Sequence, residues 1–423
     1  MNNPEISNIR ARQIFDSRGR PTIEVAVELE DGSFGCASVP SGASTGTFEA
    51  FELRDRCADF YEGLSVFHAV ENVNGEIAAE LNGEDALNQS EIDGLLRKLD
   101  GTEQLKRLGA NAVLGVSLAV SRAAADFLKM PLYQWIAEIS DTKEITLPRP
   151  MVNILSGGRH AAGGMDIQDF LFVPRNAKSL TDAVRTIAGV RFTADKLAKE
   201  KGFSRLLADE GGLSPNFSSG REALEFMLEI FESARLTPSE DASIAIDVAA
   251  TVLQTGENKY FFSRENRAFS SLELIELMRS WAEEFPIVSI EDPLGEEDWR
   301  HWKMLNEKIG AKIQVVGDDL FTTNLKRLEK GIKERSANAV LIKPNQNGTL
   351  TGTLEVIKKA RENGLTTIIS ARSGETEDSF IADLAVGTSA GQIKIGSFRN
   401  SERLCKYNRL LQIEEETNAP LSM

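Results

Sequence analysis

The chain has 423 residues, 41% hydrophobic and 26% charged, with 48 basic against 64 acidic side chains and a net charge of −16. That composition is globular and far from disordered. Without a basic cluster in the sequence, it argues against nucleic acid or an anionic membrane surface as the main partner. An anionic substrate would need cations at its site, from metal or from local Lys and Arg. Cys36, Cys57 and Cys405 are scattered, odd in number and without a CxxC pair. They point away from a disulfide framework and toward a reducing cytoplasm. The first twenty residues lack an apolar h-region, so no secretory signal is expected. The most apolar long stretch, Ala110 to Leu128, is interrupted by Asn111, Ser117, Ser121 and Arg122. It reads as a buried helix, not a membrane span.

Residues 7–40 alternate as a β-meander, with breaks at SRGR and at the turn dipeptide Asp31-Gly32. A small-residue loop, Ser41 to Gly46, follows. Helices are predicted around Phe67–Leu81, Gln89–Leu99 and Ala110–Lys129. Pro131 and the TLPRP segment at 146–150 close this unit. The boundary is placed between 135 and 147, giving an N-terminal α+β domain (1–140) and a second domain (141–423). The second opens with MVNILSGG and DFLFVP, continues with a helix near 179–200, and ends in an amphipathic helix after 400.

Within it, six apolar runs end in a charged residue: Asp247, Glu291, Asp318, Lys343, Arg372 and Lys394. The intervals of 44, 27, 25, 29 and 22 residues are close to one strand plus one helix each. That rhythm predicts a (β/α) barrel, whose site residues converge from strand ends on one mouth. A minimal barrel needs roughly 250 residues, so the chain has room for the extra domain.

Three carboxylates at successive strand ends repel unless a cation sits among them. Oxygen ligands without Cys or clustered His favour Mg²⁺ or Mn²⁺ over zinc. The plain alternative is that each acid caps the following helix. Asp292 and Asp319 are read as supporting or capping acids. Lys343, at a buried strand end beside metals and Lys394, is expected to have a lowered pKa and to serve as a base. Arg372 and Ser373 offer a fork-shaped cation and a hydroxyl to a phosphate or carboxylate. The DEGG turn could set an acid opposite the lysine. Of three histidines, His68 and His301 read as surface or packing residues. His160, in the glycine-rich GGRHAAGG loop, is a candidate substrate contact.

From about Arg10 to Glu416 these motifs resemble the enolase (phosphopyruvate hydratase) family. The matching stretches include ARQIFDSRG, VPSGASTG, LDGTE, DEGG, SIEDPL, GDDLFTTN, LIKPNQNGTL, RSGETED, GQIK and SERLCKYN. The resemblance implies a modified (β/α)8 barrel, with first strands not strictly βα, behind a smaller α+β domain. It implies Asp247, Glu291 and Asp318 as ligands of a first Mg²⁺ and Ser44 as a ligand of a second. Lys343 would be the base and Glu210 the acid. His160, Asp169, Glu291, Asp318, Arg372, Ser373 and Lys394 would contact substrate. The implied reaction is the dehydration of 2-phosphoglycerate to phosphoenolpyruvate, in a cytoplasmic homodimer or octamer, with closure of loops 41–46 and 157–164.

The chain departs from the family pattern in four places. Asp169 stands where the family usually has Glu, and Ala371 where it usually has His. AATVLQ (249–254) replaces a stretch close to AASEF, and Asn347 interrupts KxNQIG. The carboxylates and both lysines are intact. Asp169 and Ala371 belong to the side where the hydroxyl leaves and the phosphate sits. Three readings follow: a working enolase, a paralogue enolising a related phospho- or phosphono-carboxylate, and a weakly active interaction protein.

Overall fold

The structure, a computed structural model, describes residues 3–43, 46–162 and 164–422. The predicted meander is present. Strands β1 (Ile6–Phe15), β2 (Pro21–Leu29) and β3 (Phe34–Ser38) pair antiparallel in that order. Gly32, with φ +87°, makes the β2–β3 turn where a side chain would be strained. Along β2, Ile23, Val25, Val27 and Leu29 alternate inward and are fully buried. The helix Ala110–Phe127 covers them, its small side chains buried on almost every side. A Cβ on Gly35 would lie only 2.0 Å from the Ala119 carbonyl oxygen, so helix and sheet meet at backbone distance.

The predicted 67–81 helix runs as Phe67–Asn72 and Ala78–Leu81 joined by a π-helical segment at Val73–Ile77. No single described helix is long and apolar enough to cross a membrane. Helices Ala110–Phe127 and Leu132–Ile139 meet that test only as a pair bent by 106°. The first of them is core.

The second unit is a closed barrel of eight strands among the described residues. It begins with β4 (Arg149–Ser156), β5 (Asp169–Pro174) and β6 (Ala242–Asp247), where β5 runs antiparallel to both neighbours. The expected irregular start is therefore real. The 44-residue interval before Glu291 holds a small sheet, β7 (Gln254–Gly256), β8 (Lys259–Phe262) and β9 (Arg267–Ser270), and the helix Ser271–Glu284. Then β10 (Ile287–Glu291), β11 (Gln314–Gly317), β12 (Ala339–Ile342), β13 (Thr366–Ser370) and β14 (Gln392–Lys394) follow in parallel, and β14 closes on β4.

The barrel interior is plugged by Met151, Leu171, Val173, Ala245, Val316, Ala339, Leu341 and Ile368. Side chains on a strand alternate faces with period two. Two residues from these plugs, toward the mouth, stand Asn153, Asp169, Asp247, Asp318, Lys343 and Ser370. Strand parity alone thus aims the chemistry inward.

Replacing Gly35 by alanine should force β3 off its helix and cost about 1–3 kcal/mol, read as a lower urea midpoint. An unchanged midpoint would mean that the contact is not close.

Candidate active site

The mouth of the barrel carries two lysine–carboxylate systems. Lys394, at the end of β14, donates from Nζ to Asp247 Oδ2 at 2.8 Å and to both oxygens of Glu291 at 2.8 and 2.9 Å. Lys343, following β12, donates to Asp318 Oδ2 at 2.5 Å. All five groups are buried or nearly so. Such groups stay charged only when paired and hydrogen-bonded. Burial pushes Lys394 down, but Asp247 and Glu291 outweigh it and raise its pKa well above the ordinary value. Asp247 and Asp318 respond in the opposite sense: burial would raise them, and their lysines hold them low.

The expectation of a lowered Lys343 pKa is corrected. Burial lowers it, and Arg372 and Lys394 add to that, but adjacent Asp318 wins and the net shift is upward. Paired with Asp318, Lys343 is held as an ammonium.

Neighbours fix these carboxylates. Gln168 Nε2 donates to Asp247 Oδ2 at 3.1 Å, and Gln346 Nε2 to Asp318 Oδ1 at 2.9 Å. Asp292 accepts the backbone N–H groups of Asp318 and Asp319 at 3.0 and 2.8 Å, the supporting role read from sequence. Asp319 is pushed up to about 8 by burial and then by the Asp318 charge.

Opposite lies a second cluster. His160 Nδ1 is 3.2 Å from Asp169 Oδ2, and its Nε2 is 3.8 Å from Glu210 Oε1. The ring N–H is not directed at Asp169, so the contact is an ion pair more than a hydrogen bond. Asp169 is held by the Ser156 hydroxyl at 2.6 Å, and Glu210 by Asn153 Nδ2 at 3.1 Å. Burial pushes His160 down, yet the two carboxylates raise it to about 9. Burial pushes Glu210 up, but His160, Arg403, Lys394 and Lys343 bring it to about 2. Burial pushes Asp169 up as well, although the His160 charge opposes it.

Arg372 ties the barrel to the first domain. Its Nη1 donates to Glu49 Oε2 and to Asn345 Oδ1, both at 3.0 Å, and Nη2 reaches Glu49 Oε1 at 3.3 Å. The Ser373 hydroxyl accepts from the Ala43 N–H at 2.7 Å. Behind them the buried Arg403 donates to the Arg372 and Ser373 carbonyls, both at 2.7 Å, and to that of Ile395 at 3.1 Å. Ala371 is buried and brings no polar side-chain group. Ser44 lies outside the described residues, as does Gly163 in the 157–164 loop.

The structure thus gathers Asp247, Glu291, Asp318, Lys343 and Lys394 at one mouth, with His160, Asp169 and Glu210 in a cluster of their own beside it. Arg372 joins them through its charge on Asp318 and Lys343. His68 and His301 pair instead with Asp55 and Asp298. Sequence reading missed Glu49, Asn153, Gln168 and Gln346. Strand parity could have signalled one of them, Asn153, two residues beyond Met151 on β4.

The donor set fits a hard divalent cation. Glu291 is raised well above the carboxylate range by burial and then by the charges of Asp247 and Asp318, so Lys394 does not neutralise the group. Ligand oxygens of Asp292, Asp318 and Asp319 also lie within 4.8 Å of one another.

Residues 6–136 match the family description "Enolase, N-terminal domain", and residues 144–421 match "Enolase, C-terminal TIM barrel domain". A barrel with carboxylates and lysines converging at its mouth marks a lyase-type enzyme of the enolase superfamily. The chain belongs to the enolase family.

The His160 imidazolium contributes stability that is complete below the free imidazole value and is lost as pH rises through about 9. In an NMR titration of the metal-free protein, the imidazole absent from His160→Gln should titrate near 9. Titration at or below the free value would show that the two carboxylates do not face the ring.

Proposed function

We propose that the protein is a Mg²⁺-dependent lyase removing the proton beside the carboxylate of a small phospho-carboxylate, with 2-phosphoglycerate to phosphoenolpyruvate as the leading reaction. The supporting observation is the placement of two buried lysines against three buried carboxylates at one barrel mouth. Asp247, Glu291 and Asp318 would hold the first ion, and Ser44 would join a second. Bound Mg²⁺ supplies positive charge for the doubly charged carboxylate that enolisation creates. Lys343 takes the proton once Asp318 no longer neutralises it, and Lys394 stays charged beside the developing negative oxygen. Arg372 and Ser373 receive the phosphate. Glu210 gives the departing hydroxide a proton that the resting arrangement stores on His160. A cytoplasmic homo-oligomer working in glycolysis accords with this reading.

A second reading is a paralogue with the same proton abstraction and a different leaving end. It is favoured by Ala371, which offers no donor, and by Asp169, fully buried and held short by Ser156. Two measurements separate the readings: phosphoenolpyruvate absorbance with 2-phosphoglycerate and Mg²⁺, and exchange of the 2-proton in heavy water. Exchange without dehydration rejects the first reading and supports the second.

Lys343→Ala should lower both rates by about 10²- to 10⁴-fold. Glu210→Gln should stop dehydration and leave exchange. Loss of exchange in Glu210→Gln would contradict the assigned roles. Asp169→Glu with Ala371→His should raise dehydration; a double variant no faster than the parent would show that these positions do not limit it.

A further inference from the structure

Glu49 of the small domain and Arg372 of the barrel meet inside the subunit, 7% and 4% exposed, so no outer surface enters the contact. Glu49 Oε2 accepts from Arg372 Nη1 at 3.0 Å, and Oε1 accepts from Nη2 at 3.3 Å. Oε1 also accepts from the Gly46 N–H at 2.9 Å and from Gln346 Nε2 at 3.3 Å. The backbone around Glu49 is docked as well. Gln104 Nε2 donates to the Glu49 carbonyl at 3.0 Å, and the Ala50 N–H donates to the Gln346 carbonyl at 2.8 Å. Asn345, whose Oδ1 accepts from the same Arg372 Nη1 at 3.0 Å, itself donates to the Pro40 carbonyl at 3.3 Å. The head of Arg372 is thus oriented by groups anchored to the small domain.

All four contacts of the Glu49 carboxylate come from N–H donors, and only an acceptor-only group satisfies them all. An amide in its place would turn its own NH2 toward a donor in either orientation. A guanidinium–carboxylate fork also fixes a plane, which a point charge does not. Buried ion pairs add little net stability, which leaves orientation as the role of this one. Glu49 is poorly suited to leaving when substrate arrives, since three segments would lose a partner at once. We propose that Glu49 is a positioning residue: it sets the guanidinium plane of Arg372 for the phosphate and makes that end of the site depend on the docked small domain. This rests on the reading of Arg372 as the phosphate ligand. The opposing effect is neutralisation, by which the Glu49 charge weakens the attraction of Arg372 for an anion. The two effects predict opposite outcomes when Glu49 is changed.

The test is calorimetric titration of the full chain by inorganic phosphate, with Mg²⁺ present. The parent should bind phosphate, and Arg372→Met should not. Glu49→Gln should bind it about 10- to 100-fold more weakly, the scale of an ångström-sized misplacement. Glu49→Asp keeps the charge and guards the fold but ends one methylene short, so it should also bind about 10-fold more weakly. With 2-phosphoglycerate, KM should rise in both variants while kcat changes far less. Equal or tighter phosphate binding in Glu49→Gln, parental binding in Glu49→Asp, or an unchanged KM would overturn the positioning role. A parent that binds no phosphate, or an Arg372→Met variant that binds it equally well, would instead overturn the reading of Arg372. Titration needs no turnover, so its result is independent of which phospho-carboxylate is the substrate.

Discussion

Everything at the barrel mouth depends on keeping several carboxylates ionised where water is scarce. Asp247, Glu291 and Asp318 are buried and close enough for each to feel the others. Like charges in such a medium are tolerable only with cations among them. Lys394 spans Asp247 and Glu291, and Lys343 takes Asp318. Glu291 nonetheless remains driven toward protonation, so the lysines alone do not balance the site. A divalent ion is the natural complement. On the proposed reading, an ion at Asp318 would also free Lys343 to act as a base.

The same constraint explains why the small domain is more than an appendage. Glu49 reaches from it to Arg372 on the barrel, and Gln346 touches both Glu49 and Asp318. An anion arriving at Arg372 therefore meets a guanidinium already paired with a carboxylate from the other domain. On the proposed reading, substrate charge and domain contact would be coupled through this one side chain. Behind it, buried Arg403 ties the 372–373 segment to Ile395, next to Lys394.

On the opposite side the arrangement differs in kind. His160 lies between Asp169 and Glu210 and carries the proton, while Glu210 is ionised. Asp169 is one methylene shorter than a glutamate and is anchored by Ser156, which fixes where that cluster can reach. Ala371 leaves the neighbouring position without a donor. On the proposed reading, proton abstraction and leaving-group departure would be served by these two clusters.

Much was legible in advance. Apolar runs ending in charged residues, at intervals of one strand and one helix, encode a barrel because each run must bury both faces and then surface at the mouth. Period-two alternation decides which residue points inward, so Asp247, Asp318 and Lys343 stand two residues beyond interior side chains of the same strand. Tertiary structure alone decided the direction of the pKa shifts. Lys343 feels burial, Arg372 and Asp318 with opposite signs, and only their distances determine that Asp318 prevails. It alone brought Glu49 to Arg372 and to Gln346. Those contacts join residues hundreds of positions apart or on separate elements. Electrostatic energy depends on separation in space and on burial, neither of which is written in the order of residues along the chain.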